Sequence, residues 1–402
     1  MKYDFTSIID RQGKDANAID KMMEMITAKV KIKEGFDLIP MSVADMNFAT
    51  SPSVTSAIEA RLQHPLFGYY SLRPEYYSSI IRWQERHFGV TGLAPENIAY
   101  ENGVHGCLTS VVQVLTQPGE KILIHSPTYI GFRADIDMIG RVSVFSELKK
   151  DENGIYRMDF DDMEAKIKKN NIHTVLFCSP HNPTGRVWER WELEKAMSIF
   201  AANDCYVISD EIWADITYTG HQHIPTQMVN DWARKNTVAA YAPSKTFNLA
   251  GMIGSYRITY NKYLRDRINA YSFNTHYNEP NIFSMYALIG AYNETGEDWV
   301  GELLQVLENN CRYACDYIHK HFEGVKATMP EGTYMVFLDL GEYCARTNKT
   351  FTDVFHAGWE VGIGWQDGRP FHGPCHIRMN LALPLSRVQE AFDRLDKYVF
   401  NA

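Results

Sequence analysis

Six short apolar runs recur through the middle of the chain: KILIH (121–125), RVSVF (141–145), TVLFC (174–178), CYVIS (205–209), VAAYA (238–242) and YRITY (256–260). Most are continuous rather than alternating, which predicts strands buried on both faces. Between them, Leu193, Ala196, Met197 and Phe200 stand at i, i+3, i+4 and i+7 and predict a helix with one core-facing stripe. Strands alternating with crossover helices predict an α/β fold, a mostly parallel sheet sandwiched by helices.

Past residue 285 the pattern changes to long helical stretches, a strand at YMVFLDL (334–340) and a final helix. That helix is expected to start at Ser386, with Pro384 before it, Gln389 completing a capping box, and Val388, Ala391, Phe392 and Leu395 on one face. These features predict a smaller α+β domain over 286–402 and a large domain over 46–285. Residues 1–45 are too few to fold alone and are expected to pack on the small domain as an arm. A chain of 402 residues accommodates two packed units, since single cores stop growing at roughly 250–300 residues.

Composition narrows the function classes. A net charge of −9 argues against a duplex nucleic-acid partner, which needs a basic stripe. No stretch approaches the ~18 continuous apolar residues of a membrane span, and the opening MKYDFTSIID lacks the apolar core of a signal peptide. A cytoplasmic protein with no membrane partner is expected. Seven cysteines, an odd number with no C-x-x-C pair, read as reduced thiols, and no Cys/His set suggests a metal.

In open α/β sheets ligands bind beyond the carboxyl ends of the strands, so the polar residues at the end of each apolar run are the candidates for chemistry. SPTY brings Tyr129, SPHNPTG brings Asn182, CYVIS runs into Asp210, and YAPSKTFNLAG brings Ser244 and Lys245. Singly, each has a plain reading: a core aromatic, an Asn-Pro turn, a helix N-cap, a surface lysine in a turn. Together, an aromatic, an amide, a carboxylate and a lysine suit an aromatic aldehyde cofactor with a pyridine nitrogen, pyridoxal 5′-phosphate.

NGVHG, SPTYIGF, SPHNPTGR, VISDEIW, APSKTFNLAG and HIRMNLALP, in that order, resemble the fold-type I pyridoxal-phosphate enzymes of the class I/II aminotransferase superfamily. MSVADMNF (41–48) and FGYY (67–70) resemble its MalY/PatB-type branch of cystathionine β-lyases, or carbon–sulfur lyases. The resemblance spans essentially the whole chain. It implies that Lys245 carries the cofactor as a Schiff base and then takes the substrate α-proton, that Asp210 pairs with the ring nitrogen, and that Tyr129 stacks on the ring. It implies further that Asn182 bonds the ring oxygen O3′ and lies near the substrate.

Backbone N–H groups of Val104 and His105, at the opening of an expected helix, would take the phosphate together with Ser244. The His105 side chain is read as a bystander. By resemblance, Tyr69 reaches the phosphate of a neighbouring subunit, which implies a homodimer with shared sites. Arg378 would grip the substrate α-carboxylate, for which lysine has the wrong geometry, and Ala44 would line that pocket through its backbone. Asp45 reads equally as a turn or capping residue.

Two positions depart from the commoner aminotransferase pattern: Trp213 stands three residues after Asp210 in place of tyrosine, so its indole near the cofactor can only donate, and Ile253 replaces an arginine eight residues after Lys245. The implied activity is β-elimination of L-cystathionine or a cysteine conjugate to pyruvate, ammonia and a thiol. Amino transfer to a 2-oxo acid uses the same residues and is the alternative.

Overall fold

The apolar runs form the middle of a seven-stranded sheet in the structure, a computed structural model that describes residues 1–27 and 30–401, with 25–27 described by backbone alone. Its strands are β1 (Ile98–Asn102), β2 (Lys121–Ser126), β3 (Val142–Glu147), β4 (Thr174–Cys178), β5 (Tyr206–Asp210), β6 (Thr237–Tyr241) and β7 (Gly254–Ile258), in the order β1-β7-β6-β5-β4-β2-β3. All run parallel except β7, which is antiparallel to both β1 and β6.

Alternate residues of each central strand feed two separate cores, which is why the runs are continuously apolar. Ile122, Ile124, Leu176 and Ile208 pack against α1 (Gly103–Leu115), α2 (Ile130–Asp137) and α5 (Lys262–Thr275). Leu123, Val175, Phe177 and Val207 pack against α3 (Phe160–Asn170) and α4 (Arg190–Ala202). The stripe Leu193, Ala196, Met197 and Phe200 is fully buried on α4.

Strand β1 carries a buried charge, and its neighbour explains how. Glu101 accepts from Arg257 Nε on β7 at 2.8 Å and from Ser272 Oγ on α5 at 2.7 Å. Such a pair is tolerated inside a core because the partners satisfy one another.

By their internal contacts the residues fall into two units, one of 50–182 and 186–301, the other of 1–49, 183–185 and 302–402. The boundary at 301 lies within the long helix α6 (Glu294–His321). The second unit holds a three-stranded antiparallel sheet of β8 (Met335–Asp339), β9 (Gln366–Asp367) and β10 (His376–Asn380), with β10 in the middle. Within this unit Ile39–Pro40 pairs in parallel with Ile363–Gly364.

The last helix, α7 (Leu385–Leu395), starts one residue earlier than its sequence suggests, and the expected capping box is not used. The N–H groups of Arg387 and Val388 bond to the carbonyl of Pro384, at 2.8 and 3.2 Å. Pro384, in extended conformation, is therefore the N-cap, and Ser386 lies inside the first turn. Among the described residues no helix is long and apolar enough to cross a membrane.

Candidate functional site

The parallel strands of the first unit all end at one edge of the sheet, and the residues singled out from the sequence in this unit, Tyr69 apart, lie at or past those ends. Asp210 closes β5 with its side chain buried. Its carbonyl accepts from Ser179 N–H in the loop after β4, and the next residue, Glu211, donates its N–H to Ala240 on β6, both at 2.9 Å. The end of β5 is thereby stitched to the loop that carries buried Asn182 and to the strand that leads into Lys245.

Lys245 sits in the turn 243–248, half-buried rather than at the surface. Phe247 N–H bonds to Pro243 carbonyl at 2.8 Å and Leu249 N–H to Ser244 carbonyl at 3.0 Å. Thr246 Oγ1 donates to Asp215 at 2.7 Å, and the same carboxylate accepts from the Trp83 indole at 2.8 Å. Lys245 Nζ stands 5.7 Å from the ring centroid of buried Trp213, an amine over an aromatic face. Asp215 is a support for the lysine turn that no local sequence signal revealed.

Helix α1 begins directly after β1, at Gly103, whose φ of +71° suits only glycine at little cost. Val104 and His105 come next in the first turn, where backbone N–H groups point out of the helix and attract anions. Ile253 comes close by: a Cβ on Gly103 would lie 3.7 Å from its Cγ2. Ile253 itself holds a left-handed φ of +53°, a strained state for a β-branched residue, and its side chain is exposed.

Tyr129 precedes α2 and is half-buried, with its ring edge-on to Phe132. The imidazole of His105 has partners on both ring nitrogens. Its Nδ1 lies 2.6 Å from Asp135 Oδ2 and its Nε2 lies 3.3 Å from the Tyr129 hydroxyl. Tyr69 is fully exposed.

The electrostatics of Asp210 bear on what the edge could hold. Burial pushes its carboxyl up to about 6, opposed by the Ile212 N–H at 3.1 Å and by the charges of His105 and Lys245. A buried carboxylate that the fold resists ionising is suited to a cationic N–H partner, such as a protonated ring nitrogen. The donor set fits pyridoxal phosphate in this respect, with an amine, a buried carboxylate, a buried amide, an aromatic ring and a helix N-terminus placed beyond the ends of parallel strands.

In the second unit, Arg378 lies mid-strand in β10, opposite Phe337 of β8 and Gln366 of β9, and is 2% exposed. Its NH2 group donates to Ser42 carbonyl at 3.2 Å and to the Gln366 side-chain oxygen, while its guanidinium carbon stands 4.4 Å from the Phe371 ring centroid. Ala44 is fixed by Tyr334, whose hydroxyl donates to the Ala44 carbonyl at 3.1 Å. Asn380, two residues after Arg378, donates to the carbonyls of Val43 and Asp45, both at 2.6 Å. The Asp45 side chain pairs with Arg11 at 2.6 Å, so it is an anchor for residues 42–45.

Residues 37–395 match the model of the aminotransferase class I and II family. The chain is 30% identical to cystathionine beta-lyase PatB of Bacillus subtilis, over 89% of this chain and 92% of the relative. It is also 30% identical to protein MalY of Escherichia coli, over 96% of each. Among solved structures it superposes on cystalysin of Treponema denticola, which contains a pyridoxal 5′-phosphate cofactor, with a TM-score of 0.91, 30% identity and coverage of 99% of this chain and 98% of that one. The chain belongs to the aminotransferase class I and II family.

Proposed function

We propose that the protein is a pyridoxal 5′-phosphate enzyme that carries out β-elimination on sulfur amino acids, releasing pyruvate, ammonia and a thiol. The observation that carries this reading is the succession of Lys245, Asp210, Asn182 and Tyr129 along the carboxyl edge of one parallel sheet, in a chain 30% identical to PatB and MalY.

When bound, the cofactor supplies an electron sink for negative charge at the substrate α-carbon. Lys245 would hold the cofactor through Nζ, and the same atom would take the substrate α-proton. The Asp210 carboxylate accepts the ring N–H and keeps that nitrogen protonated. Asn182 donates to the ring oxygen O3′ and borders the substrate, Tyr129 covers the ring face, and the Trp213 indole covers the lysine. Val104 and His105 offer backbone N–H groups to the phosphate, and Ser244 adds its hydroxyl.

Arg378 binds the α-carboxylate with its planar fork, and the Ala44 backbone borders that group.

A homodimer completes the reading. The first unit exposes Leu66, Phe67, Tyr69 and Phe273, and Phe67, Tyr69 and Phe273 line one surface cavity. By the family resemblance, Tyr69 of a second copy covering these residues would reach the phosphate of its neighbour. Seven free cysteines agree with a cytoplasmic setting.

The test is the product balance of the purified protein with L-cystathionine. Pyruvate and homocysteine in equal amounts support β-elimination. Amino transfer to an added 2-oxo acid, without free thiol, overturns it in favour of the aminotransferase reading, for which an aspartate aminotransferase at 25% identity is a relative.

A further inference from the structure

The proposed reaction uses His105 only through its backbone, yet groups from several segments converge on its imidazole. Nδ1 faces Asp135 of α2 at 2.6 Å, Nε2 faces the Tyr129 hydroxyl at 3.3 Å, and the two rings tilt at 41° with centroids 5.5 Å apart. Gly131 packs against the same ring. A Cβ at that position would lie 2.3 Å from His105 Cε1 and 2.6 Å from Tyr129 Cε1, so only glycine leaves room for the imidazole where it stands. The fold therefore commits three further residues to one histidine side chain.

The charged groups that face His105 are Asp135, Asp210 at the end of β5, and Lys245 in the turn after β6. The hydrogen bond to Asp135 raises the proton affinity of the imidazole, opposed by its partial burial and by Lys245. As an imidazolium it donates from both nitrogens, to Asp135 and to the Tyr129 oxygen. Two cations, His105 and Lys245, lower the proton affinity of Asp210, and Asp135 opposes them. Lys245 cannot be a constant charge, because its amine bonds to the cofactor and later carries a proton. His105 is the cation that stays.

We propose that Asp135, His105 and Tyr129 form a positioning relay: Asp135 orients the imidazole and favours its cation, His105 fixes the Tyr129 hydroxyl, and the imidazolium favours the ionised form of Asp210. This rests on the assignment of Asp210 to the ring nitrogen. His105 is a positioning residue here, acting through Tyr129 and Asp210.

The test is a pH titration of the cofactor's visible absorbance in the holoenzyme, pH 5 to 9, for wild type, His105→Gln, Asp135→Asn, Asp135→Glu and Gly131→Ala. Removing a cation raises the proton affinity of every group it faces, so the transition should move upward by about half a pH unit or more in His105→Gln, and by less in Asp135→Asn, where an anion that opposes His105 at Asp210 is lost as well. Gly131→Ala, which displaces the imidazole without deleting it, should move it the same way, and Asp135→Glu should return it towards wild type. The acid limb of kcat/KM should shift in parallel.

Gly131→Ala, which changes no charge, decides the matter if His105→Gln fails to hold cofactor. Titrations of cofactor-loaded variants that superpose on the wild type overturn the relay and leave the function standing. A wild-type protein that forms no visible band with added cofactor overturns the assignment of Asp210 and the relay with it.

Discussion

The Tyr241 hydroxyl donates to the Glu211 carboxylate at 2.6 Å, tying the strand that ends in Asp210 to the strand that leads into Lys245. The same carboxylate accepts from His223 Nε2 at 2.7 Å and from Thr226 through its N–H and its hydroxyl, at 3.0 and 2.7 Å, all of it buried. These bonds hold the carboxyl of Glu211 below its usual range in spite of burial. Tyr241→Phe removes one charge-assisted bond, and we expect a loss of about 1.5–3 kcal/mol, read as a lower midpoint in chemical unfolding. A midpoint unchanged from wild type would show that the bond contributes nothing net.

Acid should destabilise the fold through two buried histidines. His125 and His181 flank the Trp188 ring, at centroid distances of 6.3 and 5.5 Å, and burial pushes them down to about 4 and about 3. A histidine depressed in the folded state leaves the unfolded chain to bind protons first. Its contribution is therefore whole above about pH 6.5 and is lost as pH falls towards 4, by about 2 kcal/mol per histidine between pH 7 and pH 5. Asp210 works in the opposite sense: raised to about 6, it costs stability while ionised and relieves that cost on protonation. In the cofactor-free protein His125→Asn should flatten the fall in Tm from pH 7 to pH 5, and Asp210→Asn should raise Tm at pH 7 more than at pH 5. A fall as steep in His125→Asn as in wild type would contradict the assignment.

Arg378→Lys keeps a charge but not the fork that reaches Gln366 and Ser42. With L-cystathionine we expect kcat/KM to drop by about 2 kcal/mol or more, roughly thirtyfold, carried mainly by KM. With a substrate whose carboxylate is masked as an ester, wild type and variant should converge. A penalty of equal size on the ester would mean that Arg378 supports the strand and does not bind the carboxylate.

The central strands were legible because each feeds apolar residues to two cores, and the candidates Tyr129, Asn182, Asp210 and Lys245 drew attention because they are polar positions at or just past the points where those apolar runs stop. Strand β1 was not legible, since Glu101 interrupts its apolar pattern and is accommodated by Arg257 and Ser272, both more than 150 positions away. The reversed direction of β7 leaves no trace in periodicity, because pairing sense is set by neighbours and not by the strand's own residues. The early start of α7 escaped for a related reason: Pro384 takes the capping position through its carbonyl, while the Ser386 and Gln389 side chains advertise another. His105 with Asp135, 30 residues apart, and the room left by Gly131 are visible only in three dimensions.

The assignment of Lys245 is tested most directly by a visible absorbance spectrum of the purified protein and of Lys245→Ala, each loaded with pyridoxal phosphate and then given L-cystathionine, with pyruvate and thiol assayed in the same cuvette. We expect a visible band and both products for the wild type, and neither the lysine-bound band nor turnover above about one-thousandth of wild type for the variant. Pyruvate and thiol released by Lys245→Ala at a rate near wild type, or a wild type that forms no band and no products, would contradict it.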